Sequence, residues 1–171
     1  MKRIFTVLLF IALSITFSFA QKFAFVDSEY ILSNIPSYKS AQEQLDKLSA
    51  EWQKEIEAKY TDIDKMYKAF QSEKVLLTDE MKTKREDEIV KKEQEVKDLQ
   101  KKYFGREGSL FKKRQELVKP IQDQVYNAVK EISVEQGFAV IFDTASNPGI
   151  MYSNPKNDKS DEILQKLGYK N

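Results

Sequence analysis

The sequence contains no cysteine and no histidine. Without cysteine, neither disulfides nor thiol chemistry are available. Without histidine, the usual general base and the commonest metal ligand are both missing. Glycine is scarce: the five at positions 105, 108, 137, 149 and 168 form no phosphate-binding loop and no dinucleotide fingerprint. Only four prolines occur in 171 residues, and none lies between Pro36 and Pro120. An excess of one charge sign is lacking too, with 28 basic residues against 27 acidic ones. These lacks weigh against most enzyme classes, against any cofactor, and against nucleic acid as a partner.

What the chain has instead is charge at helical spacing. A charged fraction of 32% on a helical period reads as long helix or coiled coil. Apolar residues recur as Tyr38, Ala41, Leu45, Leu48, Trp52, Ile56, Tyr60, Ile63, Tyr67 and Phe70. That stripe advances about 3.56 residues per step, between the 3.5 of a coiled coil and the 3.6 of a straight helix. After a break, a second stripe runs through Met81, Ile89, Val96, Leu99, Tyr103, Leu110, Leu117, Ile121, Val125, Ala128 and Ile132. Two such helices cover their stripes by folding back on each other. The expected arm spans 37–119, with its tip near 74–80. Thr78 is the expected N-cap of the return helix, and Val75, Leu76 and Leu77 sit at the tip. They either plug the hairpin end or touch a partner. Gly105 and Gly108 fall within the return helix, as a flexion point or a close approach to the facing helix.

Residues 1–20 form a separate object. Lys2 and Arg3 precede an apolar run from Ile4 to Phe17, and Ser18-Phe19-Ala20 closes it with small residues at the −3 and −1 positions. That pattern reads as a secretory leader with cleavage expected after Ala20, which exports the mature chain; the competing reading is a membrane anchor, for which the apolar run is short.

Both ends of the mature chain carry short apolar runs. Phe23 to Asp27 and Phe138 to Asp143 read as buried strands, and Ile150 to Tyr152 as a short third one. Ser28 is the expected cap of a brief helix through Leu32, and Ser37 the cap of the first long helix. Pro120 is expected to kink or restart the return helix, and Gly137 to stop it. Asn147-Pro148-Gly149 suits a type II turn, and Ser160 caps a closing helix from Asp161 to Leu167. The fold class is therefore α+β: a long antiparallel helical hairpin protruding from a small β-sheet body built from 21–36 and 120–171. A sheet that small is unstable alone and leaves its edges open, so the body is expected to oligomerise. Phe23, Phe25, Val26, Phe138, Val140, Ile141, Phe142 and Ile150 are the candidate oligomer residues.

No catalytic constellation emerges. Asp27 and Asp143 each end a strand, and strand-end capping is the expected role. The basic cluster Lys101, Lys102, Arg106, Lys112, Lys113 and Arg114 is interrupted by Glu107 and Glu116. Phe104 and Phe111 lie off the stripe, which makes them candidates for contact with a partner.

The order of parts resembles the Skp/OmpH family of periplasmic chaperones over essentially the whole mature chain. The resemblance is carried by Phe23-Ala-Phe-Val-Asp-Ser-Glu-Tyr-Ile-Leu32 followed by Pro36 and Ala41. It continues in Phe111-Lys-Lys-Arg-Gln-Glu-Leu-Val-Lys-Pro-Ile121, in Gly137-Phe-Ala-Val-Ile-Phe-Asp143, and in Asp161-Glu-Ile-Leu164. It implies a jellyfish-like homotrimer whose arms hold unfolded outer-membrane β-barrel proteins without ATP. Weak contact with a membrane surface is a further candidate interaction. The alternative is an envelope stalk or spacer that binds no client.

Overall fold

The computed structural model describes residues 22–169, so the leader and its cleavage after Ala20 lie outside the described residues. The chain begins with strand β1 (Lys22–Val26) and a short helix α1 (Ser28–Ser33). The long helix α2 (Pro36–Glu73) follows, then a 3-10 turn over Lys74–Leu76, helix α3 (Asp79–Phe104) and helix α4 (Ser109–Gln136). Strand β2 (Phe138–Asp143), a 3-10 turn at Pro155–Asn157 and helix α5 (Ser160–Lys166) close the chain. Among the described residues no helix is long and apolar enough to cross a membrane.

The two strands pair in parallel, with Phe23 opposite Val140, Ala24 opposite Ile141, Phe25 opposite Phe142 and Val26 opposite Asp143. Parallel neighbours need a crossover connection, and here the entire hairpin is that crossover. The third strand expected at Ile150 to Tyr152 does not form. A three-residue apolar run carries no strand without a partner ladder, and β2 is paired only with β1.

Two apolar clusters hold the molecule. The inner one joins Val26, Ile31 and Ile35 to Ala41 and Leu45 of α2, to Val118, Ile121, Val125, Ala128 and Ile132 of α4, and to Ile163 and Leu164 of α5. The outer one is the arm's own seam: Ile56, Ile63 and Phe70 of α2 against Ile89 and Val96 of α3, flanked by Met66, Leu77, Leu99 and Tyr103. The buried members repeat every seven residues, the coiled-coil period. Tyr60 and Tyr67, expected in the stripe, are instead more than 40% exposed, at 44% and 42%. Sevenfold spacing from Ile56 to Ile63 to Phe70 puts Met66 on the seam and turns those two rings to its flank.

Helix boundaries also depart from expectation in three places. α2 starts at Pro36 with Ile35 as N-cap, rather than at Ser37. Proline is favoured at the first helical position, where its missing N–H would be unbonded anyway. α4 continues through Pro120, which lies on the exposed side of the helix and offers no N–H to the preceding turn. The return path is interrupted not there but between Phe104 and Ser109, where Gly105 ends α3 and Gly108 precedes α4.

Caps follow the same logic. Asp27, not Ser28, caps α1, with its carboxylate accepting from the Tyr30 N–H at 2.9 Å. Thr78 caps α3 through a bond from the Met81 N–H at 3.3 Å. Gly137 ends α4 in the left-handed region at φ 70°, which only glycine enters without strain. Gly149 has no positive φ, so the Asn147 turn, closed by the Ile150 N–H to Asn147 carbonyl bond, is not type II. Ser160 is buried within α5 rather than capping it. Its hydroxyl accepts from the Asp27 N–H at 2.8 Å and donates to Asp158 at 2.6 Å.

Candidate functional site

The candidate residues fall into three places: the tip of the arm, its midpoint, and the outer face of the sheet. Among the described residues, no group of three or more acidic side chains is placed to hold a metal ion.

At the tip, the 3-10 turn projects Val75 and Leu76 into solvent, 92% and 85% exposed. Leu77 behaves differently: it packs against the outer cluster beside Phe70. The three-residue group therefore divides into one plug and two free side chains. Met81, expected in the stripe, is half exposed in the first turn of α3. Phe70 itself sits under the Lys74 ammonium, 5.5 Å from the ring centre.

At the midpoint, Trp52 of α2 stacks on Tyr103 of α3, with ring centres 4.7 Å apart and planes 6° from parallel. Phe104 meets Trp52 edge-on at 6.3 Å, so this candidate contact residue has a partner inside its own arm, though it stays partly exposed. The Tyr103 hydroxyl donates to Glu55 at 2.8 Å, and that bond raises the phenol's pKa above its ordinary value. Phe111, at the start of α4, is exposed. The basic cluster surrounds the break: Lys101, Lys102, Arg106 and Lys112 line a shallow groove with Gly105 and Gly108, while Lys113 pairs with Glu116 at 2.8 Å.

The glycines there do not make room for the facing helix. A Cβ on Gly105 would lie 2.3 Å from the Lys101 carbonyl oxygen. One on Gly108 would lie 2.8 Å from the Tyr103 carbonyl oxygen and 2.9 Å from the Gly105 nitrogen. The close approach is of the chain to its own preceding turn.

On the sheet, alternation decides which candidate oligomer residues are available. Phe23, Val140 and Phe142 are exposed on the outer face, with Phe25 tilted against Phe142 at 5.8 Å. Val26 is buried, and Phe138 and Ile141 turn inward onto the inner cluster. Ile150 closes the turn after β2. Beyond it, Met151 and Tyr152 are 96% and 79% exposed, a feature visible in sequence only as an apolar run. An apolar groove of about 360 Å³, lined by Ile31, Val125, Tyr126, Val129 and Ile141 among others, opens on the opposite, inward side of the sheet.

Asp27 and Asp143 do not form a paired-carboxylate site. Asp143 accepts from the Ser28 N–H, the Ser28 hydroxyl, the Ser146 hydroxyl and the Ala145 N–H. Asp27 is committed to the start of α1.

The family model for outer membrane protein (OmpH-like) matches residues 22–167. No curated protein matches the chain. Among solved structures, one described as a candidate OmpH-like outer membrane chaperone from Caulobacter crescentus CB15 superposes with a TM-score of 0.65. The match covers 86% of this chain and 83% of that one at 14% identity, which shows a shared fold.

Proposed function

Because the chain belongs to the OmpH-like outer membrane protein family, we propose that it is a periplasmic chaperone whose arms hold unfolded outer-membrane β-barrel proteins without ATP. The observation that carries this reading is the distribution of apolar side chains along the arm. Val75, Leu76, Met81, Tyr60, Tyr67 and Phe111 are all left exposed along the arm and at its tip. A spacer gains nothing from such residues, whereas a holdase needs many weak, exchangeable apolar contacts. The seam is also half-filled: Lys59 and Lys92 line a groove of about 390 Å³ between the arm helices, where a tight coiled coil would place apolar side chains.

Self-association belongs to the same proposal. The outer sheet face and the open edge of β2 leave aromatic surface and unpaired backbone that a second copy would cover. The exposed Met151 and Tyr152 extend that surface. A cyclic trimer is the arrangement we propose.

The experiment is dilution of a urea-unfolded outer-membrane barrel protein into buffer with the mature chain. Light scattering should be suppressed near one trimer per client. Full aggregation at several-fold excess would remove the holdase reading and leave the stalk.

A further inference from the structure

The sheet has two edges, and the chain treats them differently. Among the described residues no strand pairs beyond β2, whereas the outer edge of β1 is taken by the chain's own C-terminal strap, residues 155–169. Phe25 bridges Asp158 in parallel, and its carbonyl accepts from the Lys159 N–H at 2.9 Å. Two residues on, the Asp27 N–H donates to the Ser160 hydroxyl at 2.8 Å. Two residues is the interval at which backbone groups recur along one edge of a strand, so the strap fills successive positions of that edge.

The strap is anchored well beyond those bonds. Ile163 and Leu164 of α5 are buried in the inner cluster, and Ser160 is fixed by Asp158, which accepts from its N–H and its hydroxyl. Lys166 reaches Glu131 at 3.0 Å and Glu135 at 2.6 Å on α4, and Gln136 donates to Glu162. Filling the core requires only Ile163 and Leu164. The path of the preceding residues along β1 adds a single bridge, which contributes little as a ladder and instead occupies the edge.

A bare sheet edge is a template for another chain. Every copy offers one at β2, and the fold already shows the partner that β2 accepts: β1, in parallel, with Phe142 opposite Phe25. If β1 had a bare edge as well, β2 of one copy would be free to pair with β1 of the next. Such a contact is head-to-tail, and a stack of parallel strands does not close it, so it would run on as a filament. We propose that the strap is an edge guard that forbids this pairing. With β1 shut, the sheet accepts a neighbour at β2 alone, and self-association stops at a closed species. The guard acts in a monomer and in the proposed trimer alike, so its test depends neither on client binding nor on the oligomer number.

The chain has no cysteine, which allows the strap to be freed or tethered in one protein. Phe25→Cys with Asp158→Cys puts thiols on bridged neighbours, about 4.8 Å apart by strand spacing and within disulfide reach. Reduced, this variant lacks the carboxylate that fixes Ser160, so the strap loosens; oxidised, the strap is tied to β1. In sedimentation velocity the reduced protein should keep gaining mass with concentration, while the oxidised protein levels off as wild type does. Leu164→Ala gives an independent reading beside Ile132→Ala, which opens a cavity in the same cluster from α4. Compared at equal helix content by circular dichroism, only Leu164→Ala should keep growing. The guard is overturned if the two redox states behave alike. It is equally overturned if the two core variants behave alike, since general loosening of the body would then govern assembly.

Discussion

Ser28 and Asp143, 115 positions apart, are joined by two hydrogen bonds: the Ser28 N–H reaches Asp143 Oδ1 at 3.1 Å and its hydroxyl reaches Oδ2 at 2.8 Å. One carboxylate thus serves both the end of β2 and the first turn of α1. Removing it should be costly for the body. Asp143→Asn keeps the shape but loses charge-assisted bonds, and should lower stability by about 1–3 kcal/mol in urea unfolding near neutral pH.

The same carboxylate makes the body acid-sensitive. Burial alone would raise its pKa, but the bonds from Ser146, from the Ser28 hydroxyl and N–H, and from Ala145 outweigh burial and hold it below the ordinary 3.8. A depressed folded pKa gives stability that is present above 3.8 and lost as pH falls through the folded value. Glu162, lowered chiefly by its hydrogen bond from Lys159, acts in the same direction. Acid unfolding curves of wild type and Asp143→Asn should therefore converge below the carboxylate range. Curves that stay parallel would place the acid-sensitive group elsewhere.

At the tip, the three neighbouring apolar residues should separate cleanly. Val75→Ser with Leu76→Ser should leave the unfolding midpoint within about 0.5 kcal/mol of wild type while weakening client holding. Leu77→Ser should instead cost about 1–2 kcal/mol, because it withdraws a side chain packed on the outer cluster. Equal stability loss in both variants would mean that Val75 and Leu76 are packed in solution.

Within the arm, Ile56→Ala should cost about 2–5 kcal/mol, and the loss should be confined to amide protection in the outer part of the arm. Lys59→Leu should do the opposite, filling the groove beside Ile63 and Val96 and raising protection there. Client release should slow if an open seam takes part in holding. Binding rates measured on the same variant check that link.

On the sheet side, Met151→Asp with Tyr152→Asp should shift sedimentation toward monomer without changing helix content by circular dichroism. An unchanged oligomer would restrict the proposed interface to Phe23, Val140 and Phe142.

The hairpin was legible because its signals are local. Ile89 and Val96 stand seven apart with charges around them, Thr78 precedes two acids, and Gly137 follows directly on Gln136, the last residue of its helix. What failed was what depends on geometry between segments. Tyr60 and Met66 are equally apolar at helical spacing, and only the facing positions of Ile89 and Val96 choose between them. Ile150 to Tyr152 has the composition of a strand, but composition does not supply a ladder. Gly105 and Gly108 were visible as weak points, and the reason they end a helix lies in contacts with the Lys101 and Tyr103 carbonyls. Asp27 and Asp143 are legible as strand ends, whereas Ser28 reads as a helix cap and instead gives its N–H and hydroxyl to Asp143.

The parallel pairing of β1 with β2 imposes an order of assembly. Phe23 has no strand to join until Val140 has been synthesised and delivered. Closing that gap through an unstructured chain would carry the entropy of a very long loop. A hairpin that zips from its tip, where contacts are local in sequence, would lower that cost by carrying Phe138 back to the level of Lys22. Seen as a folding pathway, the arm is the template on which the body is built. A chain whose hairpin is replaced by a long flexible linker should therefore lose the sheet even though both strands are present.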